Sequence, residues 1–225
     1  HLHDAQLCAL RDHIEGSTTQ TVTPQSLRED PSPAVKPTSS LVVGKERSAA
    51  LRVVVAERKS VAPDVMRFRL EPIDGTLPAF QAGAHLDLHL SNGLVRQYSI
   101  TNGPQETAAY VIGVKREPDS RGGSSHLHDN VKAGDVIDIS EPRNNFPLRR
   151  DALHTVLIAG GIGITPILSM ARTLSISGLA FELHHFVRGA QEAPFAKAVA
   201  SLGAMARTHI GLNASQTSDH LASLL

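Results

Sequence analysis

Residues 155–174 read TVLIAGGIGITPILSMARTL, and the succession of textures within them decides the fold. Thr155–Ala159 is a continuous apolar run, as expected of a strand buried on both faces. Gly160, Gly161 and Gly163 follow, and then Ile167, Met170, Ala171 and Leu174 recur on one helical face. A buried strand, a glycine turn and a helix in that order form the first part of a parallel α/β unit. Glycines let a backbone approach a pyrophosphate closely, and the helix start offers unpaired N–H groups and a positive dipole end. Thr165 is placed to cap the helix, with Pro166 in its first turn. A tight turn that needs glycine for packing alone is the plainer reading, but three glycines followed by Thr-Pro exceed what such a turn requires. The run is not GxGxxG, so a different nucleotide geometry is implied.

Downstream the alternation continues. Phe181–Val187 reads as strand, Ala193–Leu202 as helix, Ala206–Leu212 as strand and Ser218–Leu225 as helix. This predicts a parallel sheet with covered faces. Upstream the period is two. Met66, Phe68 and Leu70 alternate with Arg67 and Arg69, and Leu86, Leu88 and Leu90 alternate with His85, Asp87 and His89. Leu51–Arg58, Val95–Thr101, Ala109–Lys115 and Val136–Ser140 complete about six short strands. Asn92-Gly93, Asn102-Gly103-Pro104 and Ala133-Gly134-Asp135 punctuate them. That pattern suggests a small antiparallel barrel with one helix near Ser124–Val131. Ahead of it, residues 5–14 place Leu7, Leu10 and Ile14 on one helical face before Gly16. Ser17–Ser40 is a Pro/Ser/Thr-rich linker. The expected domains are an N-terminal helix and linker over 1–45, a β-barrel over 46–150 and an α/β domain over 151–225.

Three segments carry chemistry. Arg96-Gln97-Tyr98-Ser99 sits at a strand end. Arginine pairs with phosphate, tyrosine stacks on a flat heterocycle, and a serine hydroxyl hydrogen-bonds a ring nitrogen. Four such residues also suit an ordinary amphipathic strand. Gly113-Val114-Lys115 follows, and then Arg121-Gly122-Gly123-Ser124 leads into a helix, a ready anion site or a plain glycine loop. The third segment is the glycine turn at 160–165.

In order and spacing these segments resemble one family. The runs RQYSITNGP, YVIGVKREPDSRGGSSHLHDNVKAGDVIDISEPRNNFPL and LIAGGIGITPILSMARTL are similar to those of the phthalate dioxygenase reductases. Vanillate demethylase reductase looks similar too, and both lie within the wider ferredoxin–NADP reductase-like superfamily. The resemblance runs from about Leu51 to the C-terminus and is densest over 96–174.

The resemblance implies a flavin-binding antiparallel barrel followed by a nucleotide-binding parallel sheet. By it, Arg96, Gln97, Tyr98 and Ser99 would contact the flavin, Gly113, Val114 and Lys115 would line it, and Gly122, Gly123 and Ser124 would hold its phosphate. Gly160, Gly161, Gly163, Ile164 and Thr165 would receive the nicotinamide nucleotide, with Ser99 and Thr165 nearest the chemistry. FMN is expected over FAD, because the Lys-Arg and Arg-Gly-Gly-Ser pattern resembles the FMN branch. The implied reaction passes hydride from NADH to the flavin and then releases single electrons towards an iron–sulfur centre and a terminal oxygenase. The cofactor supplies that chemistry, so no acid–base pair is demanded of the protein.

Two departures qualify the resemblance. The family's 2Fe–2S ligands are absent from this chain, whose one cysteine, Cys8, reads as a small buried apolar residue. The family's later Cys-Gly-Pro segment is missing as well. The expectation is a truncated NAD domain whose remaining half is a lost continuation or is covered by other subunits. The alternative function is a non-catalytic or flavin-retaining assembly subunit of a multi-subunit oxygenase.

Composition narrows the rest. Lys+Arg and Asp+Glu balance at 22 each, which argues against nucleic acid as a partner. No apolar run approaches a membrane span, and the N-terminus lacks a signal-peptide layout, so a cytoplasmic location is expected. The twelve histidines include His1/His3, His126/His128 and His184/His185, none with a third ligand at metal-binding spacing. They read as packing or surface residues, and no metal site is expected.

Overall fold

The structure, a computed structural model, describes residues 51–119 and 121–224, all within one compact unit. The expected N-terminal helix, the linker and Cys8 lie outside the described residues.

Six strands form one antiparallel sheet: β1 (Leu51–Ala62), β2 (Val65–Pro72), β3 (His85–His89), β4 (Val95–Ser99), β5 (Tyr110–Lys115) and β6 (Val136–Ile139). Their order is β4-β3-β6-β1-β2-β5. The end strands approach one another beyond β4, where Ile100 bridges Ile112 and the Thr101 N–H donates to the Val111 carbonyl at 2.8 Å. The sheet thereby curls into the expected barrel. Phe68, Leu70, Leu86, Leu88, Ile100, Ile112 and Ile139 are fully buried inside it, and Leu127 of helix α1 (Gly123–Asp129) joins them.

One inward-outward assignment fails. Period two puts His85 outside with Asp87 and His89, yet His85 is only 7% exposed. The segment after β6 crosses it, with a backbone bridge between His85 and Arg143 and an Arg143–Asp87 ion pair at 2.6 Å.

A second sheet follows: β7 (Thr155–Gly160), β8 (Phe181–Val187) and β9 (Ala206–Ile210), parallel and in that order. Helix α2 (Ile164–Ile176) covers one face through Ile164, Ile167, Leu168, Met170, Ala171 and Leu174. Helix α3 (Ala196–Ala200) and helix α4 (Ala214–Leu224) complete the elements. Two expectations about this half are corrected. β7 is not buried on both faces: Leu157 and Ala159 pack towards α2, while Ile158 is 37% exposed on the other side. Among the described residues β7 pairs only with β8, and α2 covers one face. Nor does Thr165 cap α2. A 3-10 turn at Gly161–Gly163 runs directly into the helix, so the cap position falls on Gly163 and Thr165 lies inside the first turn. Its hydroxyl donates back to the Ile162 carbonyl at 3.1 Å.

Candidate functional site

On β4 the side chains of Arg96 and Tyr98 share one face and are half-buried, while Gln97 is exposed and reaches Asp87 at 3.3 Å. Ser99 is buried and pairs with His85 across the sheet. The guanidinium of Arg96 donates to two main-chain carbonyls, Val95 at 2.9 Å and Arg121 at 3.2 Å. Its stem lies against Gly123 so closely that a Cβ there would meet Arg96 Cγ at 2.6 Å. Gly122, just before α1, has φ +85°, a conformation that costs a residue with a Cβ about 1–2 kcal/mol. Arg96, Gly122, Gly123 and Ser124 are thus gathered at the N-terminus of α1. Among the described residues Arg96 makes no carboxylate pair, so its charge is available to an anion. Burial pushes the neighbouring Tyr98 phenol up to about 12, and the Arg96 charge opposes that shift more weakly.

Strand β5 joins this cluster to the glycine turn. The Val114 carbonyl accepts Nε2–H of the buried His128 at 2.9 Å, which seats α1 on the strand. Arg116, just past β5, grips Asp129 at the end of α1 through two bonds of 2.5 and 2.9 Å. That contact holds the Asp129 carboxyl below the usual carboxylate range. Lys115 is shared between Asp64 at 3.9 Å and Glu117 at 3.6 Å. The Ser124 hydroxyl accepts the Glu117 N–H at 3.2 Å and keeps its own proton to donate.

One residue earlier on β5, Gly113 faces α2. A Cβ there would meet Thr165 Cγ2 and Phe195 Cε2, each at 2.8 Å. By contrast, Cβ atoms on Gly160, Gly161 or Gly163 would meet nothing within 4 Å, so the turn borders open space. Gly161 needs its left-handed φ of +47°, and its carbonyl accepts from buried His185 at 3.0 Å. Burial holds the His185 imidazole below its ordinary pKa, and the hydrogen bond to Gly161 opposes this. Ile164 is fully buried under the turn. The structure therefore brings the expected residues into two groups, Arg96 with 122–124 and Thr165 with Gly113, while Gln97 points elsewhere.

Sequence reading missed two residues here. Asn102, read as turn punctuation, is buried. Its side chain donates to the Glu106 and Ala109 carbonyls at 3.1 and 3.0 Å and accepts the Val111 N–H at 2.8 Å. Its own carbonyl accepts the Ser169 hydroxyl of α2 at 2.8 Å, which ties barrel to helix. Phe195 is buried with φ +59°, the one non-glycine residue in that region among those described. Nothing local announces it, because a phenylalanine avoids that conformation unless its surroundings impose it.

Known proteins share the sequence pattern and the fold. A family model described as the oxidoreductase FAD-binding domain matches residues 52–147. The vanillate O-demethylase oxidoreductase of Pseudomonas putida is 50% identical over 142 residues, covering 63% of this chain and 45% of that protein. The phthalate dioxygenase reductase of Burkholderia cepacia is 44% identical over 147 residues, 64% of this chain and 46% of that one. A solved phthalate dioxygenase reductase superposes with a TM-score of 0.74 at 37% identity, covering 78% of this chain and 56% of that one. That structure is described as modular, for electron transfer from pyridine nucleotides to 2Fe–2S. The chain spans about half the length of these relatives. With its six-stranded antiparallel sheet followed by a parallel sheet, the chain has the ferredoxin-reductase-like fold of that structure, and its sequence is similar to the phthalate dioxygenase and vanillate demethylase reductases.

Proposed function

We propose that this chain binds FMN on its barrel and NADH at the glycine turn of its α/β half, as the electron-entry part of an oxygenase reductase. The observation that carries the reading is Arg96, held across Gly123 with a guanidinium bonded only to main-chain carbonyls among the described residues. A dianionic phosphate monoester fits that donor set, which combines one fixed guanidinium, the Ser124 hydroxyl and the first N–H groups of α1. FMN ends in such a monoester, which favours it over FAD. Tyr98, on the same strand face as Arg96, offers a flat, half-buried ring to the flavin.

The bound flavin would supply the exchange of an electron pair from the nicotinamide for single electrons passed onward. The residues supply alignment. Ser99 and Thr165 are assigned to the meeting point of the two rings, with Val114 and Lys115 lining the barrel side, while the Gln97 side chain, turned to Asp87 on the other strand face, takes no part. Gly113 lets Thr165 and Phe195 come close to β5, and the open ground over Gly160, Gly161 and Gly163 leaves room for a pyrophosphate. In this proposal residues 46–150 are the flavin domain and 151–225 belong to the nucleotide domain. The acceptor is an iron–sulfur domain or ferredoxin feeding a terminal oxygenase, in the cytoplasm where NADH is generated. No helix among the described residues is long and apolar enough to cross a membrane.

One experiment tests the reading: an absorbance spectrum of the chain after FMN is added and unbound flavin removed, before and after anaerobic NADH. Retained yellow colour that NADH bleaches is the expected result. Colour without bleaching overturns the reductase assignment for this chain, and no retained colour overturns flavin binding. The latter outcome would favour an assembly role.

A further inference from the structure

The face of the parallel sheet opposite α2 carries a cluster that flavin binding does not use. Leu183 of β8 packs with the α2 core, so Glu182, His184 and Phe186 point the other way. The register of β8 and β9 sets His209 opposite Phe186, and the two rings lie 4.5 Å apart. Helix α4 brings His220 to within 4.2 Å of the His209 ring and 5.7 Å of the His184 ring, centroid to centroid.

The nitrogen atoms are arranged for more than packing. Fully buried His184 has Nε2 3.0 Å from the Glu182 carboxylate, which therefore accepts the Nε2 proton and leaves Nδ1 with a lone pair. That Nδ1 lies 3.0 Å from His209 Nε2. The two rings are within 2° of parallel with centroids 5.2 Å apart, so they meet edge to edge. His220 Nε2 is buried and has no hydrogen-bond partner. One ligand atom from each of the three histidines lies within 4.8 Å of the others. Helix α4, meanwhile, contributes no fully buried residue, and its leucines Leu221 and Leu224 are only half-buried.

We propose that His184 Nδ1, His209 Nε2 and His220 Nε2 bind one divalent transition-metal ion of the Zn²⁺ class, which staples α4 to the sheet. Tetrahedral zinc with bonds of about 2.0–2.1 Å sets neighbouring ligand nitrogens about 3.3 Å apart. The His184–His209 spacing is already near that value. The ion sits off the line between those two nitrogens, on the side of His220, and each ring turns by about 35° to face it. The proton between the rings moves from His209 Nε2 to its Nδ1, so binding needs a tautomer change and no net proton loss. Glu182 then holds His184 from behind, the carboxylate–histidine–metal arrangement that fixes a ligand's tautomer. His154 at 3.3 Å and Arg207 at 3.8 Å keep that carboxylate in place. A water completes the coordination shell. Imidazole ligands of this kind suit zinc, copper and nickel and leave magnesium and calcium unfavoured.

The test is titration of the full, chelator-stripped chain with Zn²⁺ by calorimetry, alongside thermal unfolding and the Co²⁺ absorption spectrum. The expected result has three parts: about one equivalent bound with a raised melting temperature, a tetrahedral Co²⁺ band, and affinity about 100-fold weaker in H209A and H220A. E182Q should lose about 10- to 100-fold. A His1→Ala, His3→Ala double variant should bind like the parent, which separates this site from the terminal histidines. His220 lies on a helix with no buried residue, so H220A should keep its circular dichroism and its FMN binding. Undiminished Zn²⁺ binding by H220A and H209A, or no binding by the parent chain, overturns the proposal whatever the flavin experiment gives.

Discussion

The β-carbon that Gly113 lacks would stand 2.8 Å from Cγ2 of Thr165, and that contact fixes how closely α2 approaches the barrel strand β5. In G113A the new methyl must displace Thr165 and the Phe195 ring. Overpacking of this kind costs about 1–3 kcal/mol, measurable by urea unfolding. T165S removes Cγ2, so the double variant should recover part of the loss, with a coupling of about 0.5–1.5 kcal/mol in a double-mutant cycle. Strict additivity would mean the two residues do not touch.

Gly123 should behave differently. The obstacle to a Cβ there is the flexible Arg96 side chain. In G123A the arginine can swing away, so stability should change by less than about 0.5 kcal/mol. FMN affinity should nevertheless fall by about 10-fold or more, because the guanidinium leaves the anion site. R96K should not restore binding, since an ammonium lacks the planar fork. A fluorescence titration of FMN reads both variants.

Asn102 is expected to be a stability hot spot. N102A removes two donated bonds and the acceptor of the Val111 N–H in a buried site, leaving main-chain groups unpaired. A loss of about 3 kcal/mol follows, seen as a lower denaturant midpoint with an unchanged slope. A loss below about 1 kcal/mol would show that water replaces the side chain.

Alkaline stability should depend on the two tyrosines. Burial pushes both Tyr98 and Tyr110 up to about 12, and the Glu141 charge adds to the shift at Tyr110. An unfolded phenol titrates near 10. The folded state therefore keeps protons that the unfolded state gives up, so stability is full below about pH 10 and falls as pH rises from there through about 12. Each phenol should contribute about 1–2 kcal/mol to that fall, allowing for the partial exposure of Tyr98. Y98F should flatten its share of the slope. Tyrosinate absorbance rising near pH 10 while the chain is still folded would refute this account.

Among the described residues the sequence by itself determined the order of strands and helices and where the glycines fall, although the helix expected over Ala193–Leu202 is confined to Ala196–Ala200. Met66, Phe68 and Leu70 face inward or near it because side-chain alternation along a strand follows from covalent geometry, with no distant residue needed. Gly122 and Gly161 were legible as special because only glycine adopts their φ cheaply. What covers each face was decided by tertiary structure. Ile158 and His85 have ordinary strand alternation, yet one is uncovered and the other is buried under Arg143, far along the chain. Thr165 looked like a cap until the 3-10 turn moved the helix start ahead of it. Phe195 is held in a left-handed conformation in the packing around Gly113, which its local sequence disfavours. His184, His209 and His220 are spread over thirty-seven residues, outside any ligand spacing a sequence would suggest, and only parallel strand pairing and the fold-back of α4 make them neighbours. Local geometry is written every few residues, whereas contact between distant residues depends on how the sheets and helices pack.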